Sequence, residues 1–221
     1  MKNQVKNSGI RFFDSTSFAK KIVKPLHHRI HSKKRVKVLS YYLSQLLPND
    51  RSLSGLDVGC GNGEITKSIE DIRHNVKMAG VDVLLRLDSA IAVIKYDGKR
   101  LPFEDKSYDF TLLIDVLHHT DNPVGLMKEC ARVSREFILI KDHVCQSWYD
   151  RVRLCFMDWI GNRAYNIHLP YNYLSEQEWR KIYRICNVAC EIIISKPRLY
   201  PLFFSFIFGG RLHLIARLAI L

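Results

Sequence analysis

The 221 residues carry 47% apolar and 25% charged side chains. That balance excludes a disordered chain and suits one α/β domain with a sizeable core better than two. The net charge of +12 is uneven: residues 1–53 hold twelve Lys or Arg against Asp14 and Asp50, and the rest is close to neutral.

The six cysteines (Cys60, Cys130, Cys145, Cys155, Cys186, Cys190) contain no C-x-x-C pair. Neither a zinc set nor a disulfide framework is indicated, no metal is expected, and reduced core thiols in a cytoplasmic protein are. The N-terminus has no apolar signal-peptide core, and the apolar run at 199–210 is broken by Pro201. No transmembrane segment is therefore expected.

Residues 1–34 read as a basic extension. Val36, Leu39, Leu43, Leu46 and Leu47 recur at helical spacing before Pro48, which predicts an amphipathic helix over 35–47. A strand at 55–58 runs into a glycine-rich turn at 59–63, then a helix at 64–73 and a strand at 77–82. The apolar segment 91–96 precedes a turn at Asp97-Gly98, and residues 83–90 are too few for a full crossover helix. Buried strands are predicted at 109–115 and 136–141 around a helix at 124–133. Residues 145–174 mix aromatic and polar residues, a helix follows at 176–186, and the runs 191–195 and 212–218 suggest an antiparallel edge pairing. Apolar strands alternating with helices imply a parallel sheet covered on both faces.

The segment Leu56-Asp-Val-Gly-Cys-Gly-Asn-Gly63 lies between a predicted strand and a predicted helix. Glycines there let a ligand approach the backbone at the carboxyl end of the sheet. A dinucleotide fingerprint would need a third glycine at position 64, which is Glu64. Asp57 would repel a pyrophosphate but attract an ammonium or sulfonium, so the turn favours a cationic adenosyl ligand. Asp82 ends the second strand, where an acid can accept ribose hydroxyls. Asp97 ends the next, where its carboxylate could take an adenine amino group.

With these residues, Leu101-Pro-Phe-Glu-Asp-Lys-Ser-Tyr-Asp-Phe110 and Asp115-Val-Leu-His-His119, the sequence resembles the class I S-adenosylmethionine-dependent methyltransferases, most closely their type 11 group. The resemblance covers about 56–141. It implies an α/β, Rossmann-like, seven-stranded and mostly parallel sheet with helices on both faces and an antiparallel last strand, for which 212–218 is the candidate. It implies S-adenosyl-L-methionine as cofactor, held by Asp57, Gly59, Cys60, Gly61, Asn62 and Gly63, by Asp82 and Val83, by Asp97 and Gly98, and by Asp115. The short link between the second and third strands departs from the family pattern.

Methyl transfer is in-line displacement, so the protein mainly positions the acceptor and removes its proton where needed. The candidate bases are His118 and His119 after the fourth strand and Asp142 and His143 after the fifth. The segment 145–174 reads as a substrate-covering insertion, with Asp158, Trp159, Asn162, Tyr171 and Asn172 as candidate pocket residues. A structural role for each of these histidines, and packing for the aromatics, are the alternative readings.

Three functions stay open. One is a methyltransferase acting on a small-molecule or lipid-like acceptor. Another is an RNA-directed methyltransferase whose basic arm (Lys20, Lys21, Lys24, Arg29, Lys33, Lys34, Arg35, Lys37) contacts phosphates. The third is a non-catalytic scaffold with the same fold. A peripheral membrane contact near 203–208 would suit the lipid-like case.

Overall fold

The structure, a computed structural model, describes residues 33–162, 170–200, 205 and 209–221. Helix α1 (Lys33–Gln45) precedes β1 (Leu53–Val58), α2 (Glu64–Ile72), β2 (Val76–Asp82) and a short β3 (Val93–Lys95). Strand β4 (Tyr108–Ile114) runs into a single 3-10 turn at Leu117–His119, then α3 (Pro123–Val133) and β5 (Ser134–His143). Helices α4 (Trp148–Asn162) and α5 (Glu176–Ile185) come before β6 (Val188–Ser195) and β7 (His213–Ile220).

Among the described residues these strands form one sheet in the order β3-β2-β1-β4-β5-β7-β6. The first five are parallel, and β7 runs antiparallel between β5 and β6. The strand order reverses direction between β1 and β4. In open α/β sheets that is where a crevice opens at the carboxyl ends of the strands.

Side-chain alternation covers both faces. Phe137 and Leu139 of β5 point to the layer made by Leu39 and Leu43 of α1 and Ile69 of α2. Ile138 and Ile140 point to the layer made by Met127 and Cys130 of α3 and Trp179 and Ile182 of α5. Phe110 stacks on Phe137 with ring centroids 5.2 Å apart, and the Arg217 guanidinium lies 4.0 Å over the Phe137 ring. Asn122 caps α3 ahead of Pro123, and Ser175 with Glu178 forms a capping box on α5.

Three expectations are modified. The third strand is confined to Val93–Lys95, because β3 is an edge that pairs only with β2, and Ile91 instead packs against Gly63 and Gly80. Helix α4 occupies a segment for which no element was predicted. Its apolar side chains fall on two faces, Leu154 inside and Trp148, Tyr149, Val152 and Phe156 outside, so no single stripe marks it. Arg35 does not belong to a solvated phosphate-contacting arm. It is buried and paired with Asp115, because α1 begins at Lys33 and Arg35 is the first residue of its buried face, with Leu39 and Leu43 after it. Lys33, Lys34 and Lys37 of α1 are exposed, whereas Lys20, Lys21, Lys24 and Arg29 lie outside the described residues. No described helix is long and apolar enough to cross a membrane, and 203–208 lie outside the described residues except Ser205.

Arg73 closes the end of α1, where the last carbonyls have no helical partner. Its Nη1 donates to the Ser44 carbonyl at 2.5 Å and the Leu47 carbonyl at 3.0 Å, and its Nη2 donates to the Pro48 carbonyl. The Leu47 amide also donates to the Ser44 carbonyl at 3.3 Å and Asn75 Nδ2 to the Pro48 carbonyl at 3.4 Å, so Arg73→Leu strands chiefly the buried Leu47 carbonyl and should lower unfolding stability by about 1–3 kcal/mol in urea denaturation. A loss below about 0.5 kcal/mol, the level of an ordinary surface substitution, would contradict this role.

Candidate active site

The first half of the site grows from β1. As the chain leaves the sheet, the Gly59 and Cys60 amides both donate to the Val81 carbonyl, at 2.8 and 3.2 Å. Gly59, Gly61 and Gly63 have φ of 75°, 61° and 71°. At Gly59 a side chain would be strained and would also collide with Val116, since a Cβ there would sit 2.6 Å from Val116 Cγ2. Gly61 is in the same conformation, and a built Cβ there would make ordinary van der Waals contact with the Arg86 guanidinium at 3.7 Å. The loop 83–92 contains no helix, as its length predicts, and the Ala90 amide ties it to the Asn62 carbonyl at 2.7 Å.

Three carboxylates border this turn. Asp57 is 2% exposed and accepts from the Thr66 hydroxyl through Oδ2, while Oδ1 has no hydrogen-bond partner among the described residues. Burial, reinforced by Asp82 and opposed by Thr66, pushes its carboxyl up to about 7. Asp82 braces the turn, taking the Gly61 amide at 2.8 Å on one oxygen and the Leu84 amide at 2.9 Å on the other. A carboxylate still has lone pairs for a diol beside these. Asp97 is exposed and accepts the Lys99 and Arg100 amides on Oδ1, so much of its capacity shapes its own turn. Val83 lies against Gly98, 3.2 Å from a built Cβ.

The second half is a buried polar cluster at the ends of β4 and β5. Asp115 leaves β4 with φ of 55° and is gripped from two sides. Arg35 Nη2 lies 2.5 Å from its Oδ2, and Lys141 Nζ bonds its Oδ1. Burial would raise this carboxyl, but Lys141 and Arg35 hold it well below the usual range. Lys141 is completely buried, which lowers its ammonium against the attraction of Asp115.

His118 is 2% exposed and lies between two more carboxylates. Its Nδ1 is 2.6 Å from Asp142 Oδ1 and its Nε2 3.5 Å from Asp158 Oδ2. Burial would lower the imidazole, yet Asp142 and Asp158 raise it to about 10. His119, whose ring lies 4.0 Å from that of His118, is pushed down to about 4 by burial and by the charge of His118. Burial, Lys141 and His118 together push His143 well below its usual value. Around a protonated His118 the cluster therefore sets three carboxylates, Asp115, Asp142 and Asp158, against Arg35, Lys141 and the imidazolium.

The predicted acceptor residues separate. Asp158 points in from α4 and accepts the Tyr173 hydroxyl at 2.5 Å. Asn172 reaches the end of β4, its Nδ2 donating to the Thr120 carbonyl at 2.8 Å and its amide to the His118 carbonyl at 3.3 Å. Tyr171 has φ of 56° and stands 6.2 Å from the Tyr173 ring. Trp159 instead stacks on Phe156 at 6.4 Å on the outer side of α4, and Asn162 ends that helix. Arg35, Tyr173 and His213, the last 4.9 Å ring to ring from His143, belong to the cluster but were not among the predicted residues. Tyr173 lies within the aromatic-rich segment 145–174. Nothing along the sequence marks Arg35 or His213 as facing this point.

The family model described as a methyltransferase domain matches residues 56–136. The tRNA (carboxymethyluridine(34)-5-O)-methyltransferase of Schizosaccharomyces pombe is 31% identical over 88 residues, 38% of this chain and 37% of that protein. The ubiquinone biosynthesis O-methyltransferase of Hahella chejuensis is 27% identical over 92 residues, 36% of this chain and 38% of that protein. The matches thus span well under half of these curated relatives. The crystal structure of a SAM dependent methyltransferase from Aquifex aeolicus superposes with a TM-score of 0.59 at 14% identity, covering 91% of this chain and 98% of that one, a likeness of fold.

Asp57 gives a pH test. Because its carboxyl is raised in the folded state, its contribution to stability is full below the ordinary carboxylate value and is lost as pH climbs to about 7. Asp57→Asn keeps an acceptor for Thr66 and removes that loss. In ligand-free thermal unfolding, the variant should gain on the parent protein between pH 4 and 8, by at most about 4 kcal/mol. A stability difference that stays constant over this range would contradict the assignment.

Proposed function

We propose that the chain is an S-adenosylmethionine-dependent methyltransferase of the class I, type 11 group, a reading supported by the methyltransferase-domain match over residues 56–136, and that it methylates a small hydroxylated acceptor. The observation that carries this reading is the contact between the two halves of the site. Gly59 packs directly on Val116, so the glycine turn and the His118–His119 segment adjoin at the switch point of the sheet.

The residues fit the cofactor. The unpaired Asp57 Oδ1 suits an ammonium, Gly61 is the glycine of the turn where a built Cβ meets only the Arg86 guanidinium at van der Waals distance, and Asp82 with Val83 and Gly98 lies where the nucleoside would rest. When bound, the cofactor would supply an activated methyl group to the acceptor oxygen, and the hydroxyl proton would pass to His119, which burial and the charge of His118 keep neutral. Asp115, fixed by Arg35 and Lys141, holds the chain so that residues 116–119 turn toward this point. Asp142 and His143 act as positioning residues: Asp142 accepts from the Leu117 amide at 3.1 Å and the His143 amide at 2.7 Å, and engages His118. Asp158, Tyr173 and Asn172 frame the acceptor side and exclude water.

An oxygen acceptor agrees with the two relatives above, both named as O-methyltransferases. The enclosed cluster favours a small acceptor. RNA is the second reading, favoured by the S. pombe relative and by the exposed Lys33, Lys34 and Lys37 along α1.

The test is transfer of labelled methyl to a panel of phenols and hydroxy acids alongside unmodified tRNA, repeated across a salt series. The small-acceptor reading expects label in a hydroxylated small molecule and a rate little changed by salt. Asp158→Asn should lower that rate at least tenfold. Label confined to tRNA, with activity falling steeply as salt rises, would overturn it in favour of RNA.

A further inference from the structure

His118, His119 and Asp158 each offer a ligand atom, and all three atoms lie within 4.8 Å of one another. They come from the 3-10 turn after β4 and from the buried side of α4, and His118 and Asp158 are at least nine-tenths buried. The decisive feature is the orientation of His118. Asp142 already accepts from the Leu117 and His143 amides, so it is a pure acceptor, and the nitrogen facing it at 2.6 Å, Nδ1, carries a proton. Nε2 is therefore the nitrogen left to bind something else: it is buried, and the Asp158 carboxylate it faces at 3.5 Å is an ion-pair partner that does not close a hydrogen bond, so a cation can replace the proton between them. A carboxylate holding one nitrogen so that the other can act as a ligand is the usual support of a metal-binding histidine.

The spacing agrees. Two ligands about 2.1 Å from one cation at a tetrahedral angle lie about 3.4 Å apart, and His118 Nε2 and Asp158 Oδ2 are 3.5 Å apart. Tyr173 donates to the same Asp158 oxygen and fixes it. The neighbouring group of Asp115, His118, Asp142 and His143 is less suited: Arg35 and Lys141 occupy Asp115, and Asp142 occupies His118 Nδ1.

From this geometry we propose that His118, His119 and Asp158 bind one divalent first-row transition cation, of which zinc is the chemical type, with a coordination position left open toward the acceptor. Two imidazoles and one carboxylate with an open position are a donor set suited to a catalytic rather than a structural ion. This deepens the reading of an oxygen acceptor, because such a cation would supply Lewis acidity to a hydroxyl placed beside it. Sequence spacing does not show the set, since the third ligand lies 39 residues beyond His119. Tertiary structure alone assembles it.

The test uses the untagged full chain, stripped with chelator and titrated with Co2+ while visible absorption is recorded. The proposal expects one equivalent bound with the intense d–d bands of a low-symmetry site. The bands should be lost in Asp158→Asn, and the affinity should fall 10–100-fold in Asp142→Asn, which removes only the support of His118. Both variants are checked for folding by circular dichroism. If folded Asp158→Asn and Asp142→Asn bind Co2+ as the parent protein does, or if no saturable binding occurs, the proposal is wrong. Binding of S-adenosylhomocysteine is measured on the same samples. Loss of nucleoside binding with the metal bands intact would sink the methyltransferase reading and leave the metal site standing.

Discussion

Asp115 is the point on which the site depends. It stands at the end of β4 in a left-handed conformation that is uncommon for a residue other than glycine, though Asp tolerates it better than most, and two cations hold its side chain there. Arg35 reaches it from α1 and Lys141 from β5, so one carboxylate joins a surface helix, a central strand and its neighbour. Buried ion pairs of this kind contribute little net stability, but removing one partner strands the others in a dry environment at a cost of about 3–5 kcal/mol. The consequence is a fixed geometry. The turn after β4 presents Val116 to Gly59 and His118 to Asp142.

The same constraint links the two halves of the site electrostatically. Around His118 the carboxylates of Asp142 and Asp158 outnumber the local cations, which favours positive charge at Nε2, whether carried by a proton or by a metal ion. A few residues away two cations, Arg35 and Lys141, converge on the one carboxylate of Asp115. Low dielectric strengthens both arrangements and makes each polar partner costly to lose. The glycine turn needs no such charge network. Its shape follows from backbone conformation and from Asp82, which fastens the turn to the loop after β2.

Much of this architecture was legible along the chain, for reasons that can be traced to particular segments. The centres of β4 and β5, Leu112–Ile114 and Phe137–Ile140, are continuously apolar because both faces of the sheet are covered, and the glycines at 59, 61 and 63 punctuate a strand and a helix as a ligand turn requires. The absence of a helix between β2 and β3 followed from length alone. The features that were missed depend on tertiary contact. Arg35 read as one more positive charge in a basic stretch, since its partner is 80 residues away. Helix α4 was hidden because it buries Asp150, Leu154 and Asp158 while exposing aromatic residues, the reverse of the pattern that reveals a surface helix. Tyr173 and His213 acquire their roles from the strands and loops that bring them beside His118 and His143.

The central claim is that the glycine turn and its carboxylates hold an adenosyl sulfonium. Its most direct test is thermal unfolding with S-adenosylmethionine, S-adenosylhomocysteine, NADH or no ligand, in the parent protein and in Asp82→Ala. At 100 times its dissociation constant, a ligand that binds only the folded state stabilises it by about 2.7 kcal/mol. The account predicts a raised midpoint with both adenosyl ligands, none with NADH, and loss of the shift in folded Asp82→Ala. No shift with either adenosyl ligand at millimolar concentration, or an equal shift with NADH, would contradict it.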